Sequence, residues 1–362
     1  MSLDSRLRQG LIGLAGEIEP DPEGALGPVI ASGRRRRSGR IALAAVACIA
    51  LGTAGALAIP RLLGESDGRL VEPAAVQTFA PHSPFDVGVE LSGRPGGVAL
   101  VRGSLWVAIP SERRVVRLDA ASGEQQAVIA VGIKPCGEPG YLGDLRWLWF
   151  ASCGGREEVS LIDVRGNHVA GTVASAAGIA GGKGHRFWTW SNEDHTVNLY
   201  EHGQGITEKF RVWNSTGIFD GTLAHGRIWV TDLDRGVVSP IHHRTGAFPD
   251  LRVGRSSADV EAGLGAVWVA DEVRGMVVKV SPETEEVLGR IRVAAAAGDI
   301  DLLLAGGSVW ARAGDRLKRI SPDGLEIQES LRVPGSGGIA AGSGVLWVAV
   351  PAQTSVWRLP LD

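Results

Sequence analysis

The sequence predicts an all-β fold, a seven-bladed β-propeller, from three observations: a tryptophan-centred strand recurs seven times, the repeat length suits a four-stranded unit, and an early strand supplies the one that the last unit lacks. The recurring stretch reads GSLWVAI ending at Ile109, RWLWFAS at Ser152, HRFWTWS at Ser191, GRIWVTD at Asp232, GAVWVAD at Asp271, GSVWARA at Ala313 and GVLWVAV at Val350. Its tryptophans, Trp106, Trp149, Trp188, Trp229, Trp268, Trp310 and Trp347, lie 43, 39, 41, 39, 42 and 37 residues apart. A period of about 40 residues with one aromatic landmark marks a propeller or a solenoid.

Each unit has the same grammar. A Gly-rich approach such as GGIAAG, Gly337 to Gly342, gives a first strand and a tight turn, and the Trp strand follows. A third strand comes next, as in VVRLD from Val115 or VVKVS from Val277, and then turn residues and a fourth strand such as EVLGRIRV, Glu286 to Val293. Four short antiparallel strands make a propeller blade. Stretches such as LWVAI are apolar at successive positions, as expected of a strand whose two faces both meet neighbouring blades. After the seventh Trp strand the sequence ends just past the third strand, at Asp362, whereas DVGVELSG, Asp86 to Gly93, precedes the first unit with no blade of its own. Adding it to the last blade closes the ring and removes an exposed sheet edge.

The repeats fill 85–362. Ahead of them, residues 1–40 begin with Leu3, Leu7, Leu11, Leu14 and Ile18 at helical spacing and end in the basic block Arg34 to Arg40. This segment is read as cytoplasmic, an ordinary short helix or disorder, with a docking segment for a cytoplasmic partner as the alternative. Residues 41–59 form nineteen positions without a charge, roughly 28 Å as a helix and close to one hydrocarbon core. With five arginines before the run and Arg61 and Arg69 scattered after it, the basic flank stays inside. The expected protein is single-pass in the cell membrane, with the propeller outside. A cleaved signal ending near Ala56-Leu57-Ala58 is the competing reading; the length of the apolar run and of the segment before it favour an anchor. Residues 60–84, with Pro60, Pro73, Pro81 and Pro84, read as an extracytoplasmic linker.

Composition narrows the function. The chain has 362 residues, 51 glycines and a formal net charge of −3. Residues 61–362 carry 30 Lys plus Arg against 35 acids, which leaves no basic footprint for nucleic acid. In a four-stranded blade, the loops from strand two to three and from strand four to the next blade open on one end of the ring, here called the mouth. The residue three beyond each repeat tryptophan ends the second strand there. It is polar in blades two to five (Ser152, Ser191, Asp232, Asp271) and apolar in blades one, six and seven. These four, with Glu193, Asp194, His195, Asp234, Arg235, Glu272 and Arg274 in the adjoining loops, form the candidate ligand-binding sector. Solvated turns with local ion pairs are the alternative. His195 is the one histidine expected at the mouth, since His185, His202, His225, His242 and His243 fall in turns at the opposite end. No catalytic residue, phosphate loop, nucleophile elbow or HExxH pattern is assigned. Cys136 and Cys153 fall before the first strand and after the second strand of blade two, within bridging reach. A disulfide is expected of an exported domain, with two free thiols as the alternative.

With its repeats, the PxG approach and the WVAD strands, the region 85–362 resembles the bacterial secreted propellers of the YVTN/YncE and streptogramin-lyase-like (virginiamycin B lyase) group. The resemblance implies the fold. Lyases of that group are implied to use histidine and glutamate with magnesium at the mouth, a pattern for which this sequence offers only His195. The functional expectation is a non-catalytic module binding an extracytoplasmic ligand or protein, with no cofactor. The alternative is a streptogramin-lyase-like or lactonase-like enzyme using magnesium or calcium.

Overall fold

A strand that is apolar on both faces needs a sheet on either side, and the chain meets that need with seven antiparallel sheets in a ring. The computed structural model describes residues 77–361 except 80, 137–138, 144–145, 154–155, 184, 213–214, 216, 243–245, 248, 296 and 336. The first strands of the seven blades are Val98–Val101, Gly140–Leu142, Gly178–Lys183, Ile218–Ala224, Val260–Gly263, Ile300–Ala305 and Ile339–Gly342. They approach one another in sequence around the axis. The tryptophan strands are paired outside them, from Ser104–Ile109 in blade one to Val345–Val350 in blade seven, and the third and fourth strands follow outward. The fourth strand of blade four is broken into Gly246–Ala247 and Leu251–Arg252, both paired to the third.

Closure is as the sequence predicts. Val87–Glu90 completes blade seven beside Ser355–Pro360, in the register Val87↔Arg358 to Glu90↔Ser355. The sheet also extends one strand further than the sequence reading places it. Thr78–Phe79 pairs with Val89 and Gly88, inside the stretch assigned to a linker, because a two-residue strand has no periodicity to read. Arg358 fixes the junction with two parallel bonds to Asp86, Nε to Oδ1 at 2.9 Å and Nη2 to Oδ2 at 2.8 Å. The hydrogen bond from Arg358 holds the Asp86 carboxyl below its usual range. Phe85 packs on Trp357, with ring centroids 5.4 Å apart.

Among the described residues the buried apolar side chains fall into seven clusters, one for each seam between blades. Trp106, Trp229, Trp268, Trp310 and Trp347 are fully buried in them. Blade three departs from the pattern: Trp188 is only half-buried, and Trp190, two residues on, fills the wedge instead. Its indole lies where a side chain on Gly178 would stand, so that position of the first strand must be glycine.

Cations on third strands stitch seams from outside. Arg117 lies 5.0 Å from the Trp106 ring centroid and donates to Val164 O at 3.1 Å and Asn167 Oδ1 at 2.9 Å in blade two. Lys279 does the same over Trp268, reaching Pro322 O at 2.8 Å in blade six. Arg358 closes the series by donating to Ala121 O of blade one. The turns these cations reach are themselves tightened by carboxylates. Backbone N–H bonds from Ser122 to Asp119 and from Gly166 to Asp163 hold both carboxyls below their ordinary value.

Residues 1–40, the apolar run 41–59 and the linker through residue 76 lie outside the described residues. Among the described residues no helix is long and apolar enough to cross a membrane.

Closure by burial rather than by the surface ion pair makes a comparison of two variants decisive. Val89→Asp puts an unpaired charge into a fully buried position and is expected to cost about 3–5 kcal/mol. Arg358→Ala, which opens a pair whose Asp86 side chain is 41% exposed, should cost about 1 kcal/mol after solvent screening. Urea denaturation of both variants checks the ranking.

Candidate functional site at the mouth of the ring

The second strands of blades two to five all run out toward the mouth, so the predicted polar residues do arrive at one end. In blade two, Ser152 bridges to Pro135, and its N–H donates to Glu158 O at 2.9 Å. Beside it, Cys136 and Cys153 form a disulfide with Cα atoms 5.5 Å apart. Backbone bonds from Cys136 N to Ala151 O and from Cys153 N to Lys134 O, both 3.2 Å, align the two cysteines across the strand pair.

In blade three, Ser191 is buried and donates to Glu157 Oε2 at 2.8 Å, while Asn192 N donates to Glu157 Oε1 at 2.9 Å. Ser191 Oγ also accepts Asp194 N. Glu193 and Asp194 are exposed, and Asp194 pairs with Lys209 at 2.6 Å. His195 turns the corner in the left-handed region at φ 54°, and its Nδ1 is buried with no hydrogen-bond partner.

Blades four and five repeat one device. Asp232 is buried; its Oδ1 accepts Arg235 N at 3.2 Å, and its backbone carbonyl takes Ser257 Oγ at 2.8 Å. Asp234 is exposed, and Arg235 pairs with Asp250 at 2.5 Å. Asp271, 1% exposed, accepts Arg274 N (3.2 Å) and Ser256 N (3.3 Å) on Oδ1 and Arg255 N (3.2 Å) on Oδ2. It thereby clamps its own turn to the linker arriving from blade four. Gly254 lies so close that a side chain there would overlap the Asp271 carboxylate. Glu272 accepts Ile300 N at 3.3 Å. Arg274 is exposed, 3.9 Å from Asp271.

The arrangement thus sorts the predicted residues into two kinds. Ser191, Asp232 and Asp271 face inward and satisfy loop N–H groups or a neighbouring carboxylate, whereas Glu193, Asp194, Asp234 and Arg274 stand outside. Among the described residues no group of three or more His, Cys, Asp or Glu side chains is placed to hold a metal ion.

The sequence reading missed Glu157, which is 4% exposed and joins blade two to blade three. It also missed three acids nearest the axis, Asp220 and Asp301 on first strands and Asp259 immediately before one. The available signal was a departure from the repeat: these occupy the register position held by Gly97 in blade one and Gly338 in blade seven. Burial pushes the Asp220 carboxyl up to about 7.

With this geometry in place, the class is clear: a closed seven-bladed propeller with structurally occupied polar turns at its mouth. No protein-family profile matches the sequence, and no curated protein matches it. Among solved structures the chain is similar to a streptogramin B lyase, with 15% identity, TM-score 0.65, and 79% of this chain and 97% of that one covered. It is also similar to selenomethionine-substituted virginiamycin B lyase from Staphylococcus aureus, with 13% identity, TM-score 0.63, and 76% and 98% covered. The WD40 propeller domain of Doa1 gives 10% identity, TM-score 0.61, and 75% and 94% covered. The likeness therefore concerns the fold, and its solved neighbours include streptogramin-lyase propellers.

Asp271→Ala is expected to lose about 2–4 kcal/mol of stability because three loop N–H groups lose their acceptor. Arg274→Ala, at the exposed end of the same pair, should change stability by less than about 1 kcal/mol; thermal unfolding of the two variants checks this. Denatured without reductant, the protein should show no free thiol from Cys136 or Cys153. Reduction should lower stability by about 3 kcal/mol for a separation of 17 residues.

Proposed function

We propose that this chain is a single-pass membrane protein displaying an extracytoplasmic propeller whose mouth binds a ligand or protein partner without transforming it. The observation that carries the non-catalytic reading is the use of the mouth's buried polar groups. Glu157, Asp232 and Asp271 each accept backbone N–H bonds from the turns they hold, so their lone pairs are directed at the scaffold. The anchor reading rests on the charge-free run 41–59 behind its arginine block, and the Cys136–Cys153 disulfide suits an oxidising exterior. The partner would meet the exposed groups of the sector: Glu193, Asp194, Asp234 and Arg274.

The likeness to streptogramin lyases supports a second reading, a cation-dependent lyase or a lactonase-like hydrolase. The two separate in one set of measurements on the full chain. Under the binding reading, magnesium or calcium after EDTA leaves the unfolding temperature unchanged, and a streptogramin B incubated with the protein and magnesium stays intact. Turnover of the streptogramin together with a cation-induced stabilisation abolished by Asp232→Asn, Asp271→Asn or His195→Ala would favour the enzyme class instead. The anchor is tested separately. The protein should stay with membranes through an alkaline carbonate wash and be released when residues 41–59 are deleted; release of the intact chain by the wash would refute it.

A further inference from the structure

The seam between blades two and three differs from the other six in what stands one past the repeat tryptophan. That position is Val107, Phe150, Val230, Val269, Ala311 and Val348 in the other blades and Thr189 in blade three. The next residue on the same face of the strand is Ser191. On the third strand Asn198 lies opposite Thr189, and Thr196 lies opposite Ser191. All four are buried, none more than 4% exposed. Neighbours along the two strands fix the direction of this face: Phe187 and Tyr200, also directly opposed, pack with Trp149, Val159 and Leu161 of blade two.

Opposed residues of an antiparallel pair have Cβ atoms about 5 Å apart, and same-face residues along a strand are about 7 Å apart. The four side chains therefore stand at the corners of a quadrilateral covered by blade two, with oxygens one or two bonds beyond Cβ and within reach of its centre. Among the described residues Thr189 Oγ1, Thr196 Oγ1 and Asn198 Oδ1 have no hydrogen-bond partner. Ser191 Oγ is engaged, donating to Glu157 Oε2 at 2.8 Å and accepting Asp194 N at 3.2 Å. Three partnerless oxygens in one buried patch call for a ligand. Each can give a lone pair, and the Glu157 carboxylate, bonded to Ser191 at one corner, brings a negative charge to the same seam. That charge favours a cation. Hydroxyl and amide oxygens beside one carboxylate suit a single positive charge better than a divalent ion, which gathers several carboxylates.

We propose that Thr189, Thr196 and Asn198 form an internal site for a monovalent alkali cation, with Glu157 supplying the counter-charge, and that the ion ties blade three to blade two. Oxygens that replace a hydration shell are the means by which protein holds such ions away from water. The site lies directly beneath the turn that carries Glu193 and Asp194 to the mouth, because Ser191 ends the strand before that turn and Thr196 begins the strand after it. Filling it therefore stiffens the frame on which those two acids stand. The site is separate from the outward groups offered to a partner, so its test depends neither on what the mouth binds nor on the anchor.

Thermal unfolding of the full chain in detergent micelles at constant ionic strength tests the site, with sodium chloride or potassium chloride exchanged for choline chloride, whose bulky cation cannot fit among side chains this buried. The unfolding temperature should rise with one of the two alkali cations along a saturating curve, by about 2–4 °C at roughly ten times the dissociation constant. Thr189→Val and Asn198→Leu keep the approximate shape of the side chains and remove the oxygens. With no ion in the seam, replacing partnerless polar atoms by apolar ones leaves stability equal or improved and any salt response intact. With the ion, each variant flattens the curve. Should Asn198→Leu fail to fold, Thr189→Val carries the comparison. Equal unfolding temperatures in sodium, potassium and choline, or a rise that survives in a folded variant, would overturn the proposal.

Discussion

Seven strips of apolar surface hold this ring together, and none can be buried until the blade beyond it is in place. A single four-stranded sheet with Trp268 and Val269 on opposite faces would expose one of them to water. The energetic unit is therefore the seam, and the structure depends on the last seam being made. That is why the closing strand comes from the other end of the chain. It buries Val89 against Trp347 and Val356 and so joins the start of the domain to its end. Arg358 and Asp86 mark the joint, while burial supplies its strength.

Once every seam has to be filled, polar residues survive there only with partners, and those partners define the geometry of the mouth. Asp271 illustrates this: its position three beyond a buried tryptophan fixes the carboxylate at the strand end, and the linker from Gly254 to Ser256 wraps around it. Glu157 does the same between blades two and three, giving both oxygens to the turn at Ser191 and Asn192. The mouth is in this sense preorganised by its acids.

The repeats made much of this legible in advance. Seven tryptophans at a near-constant interval gave the blade count, and the stray strand Asp86 to Gly93 gave the closure, because both are properties of order along the chain. The pairing of Cys136 with Cys153 was likewise readable, since the blade grammar puts the ends of neighbouring strands side by side. Thr78–Phe79 was not readable, being too short for any pattern. The exchange of roles between Trp188 and Trp190 was also hidden, because two tryptophans on the same face of one strand differ only in what lies opposite them.

The sequence by itself determined the number of blades, the strand that closes them and the end of the ring to which Ser191, Asp232 and Asp271 are carried. Tertiary structure alone decided which way those side chains are used. Alternation along a strand names a face, but a hydrogen bond needs the partner's position, and the partners here are loop N–H groups and carboxylates from a neighbouring blade. Asp220 and the Val260 N–H that it accepts are 40 residues apart in sequence. They meet only because the ring sets one first strand against the next.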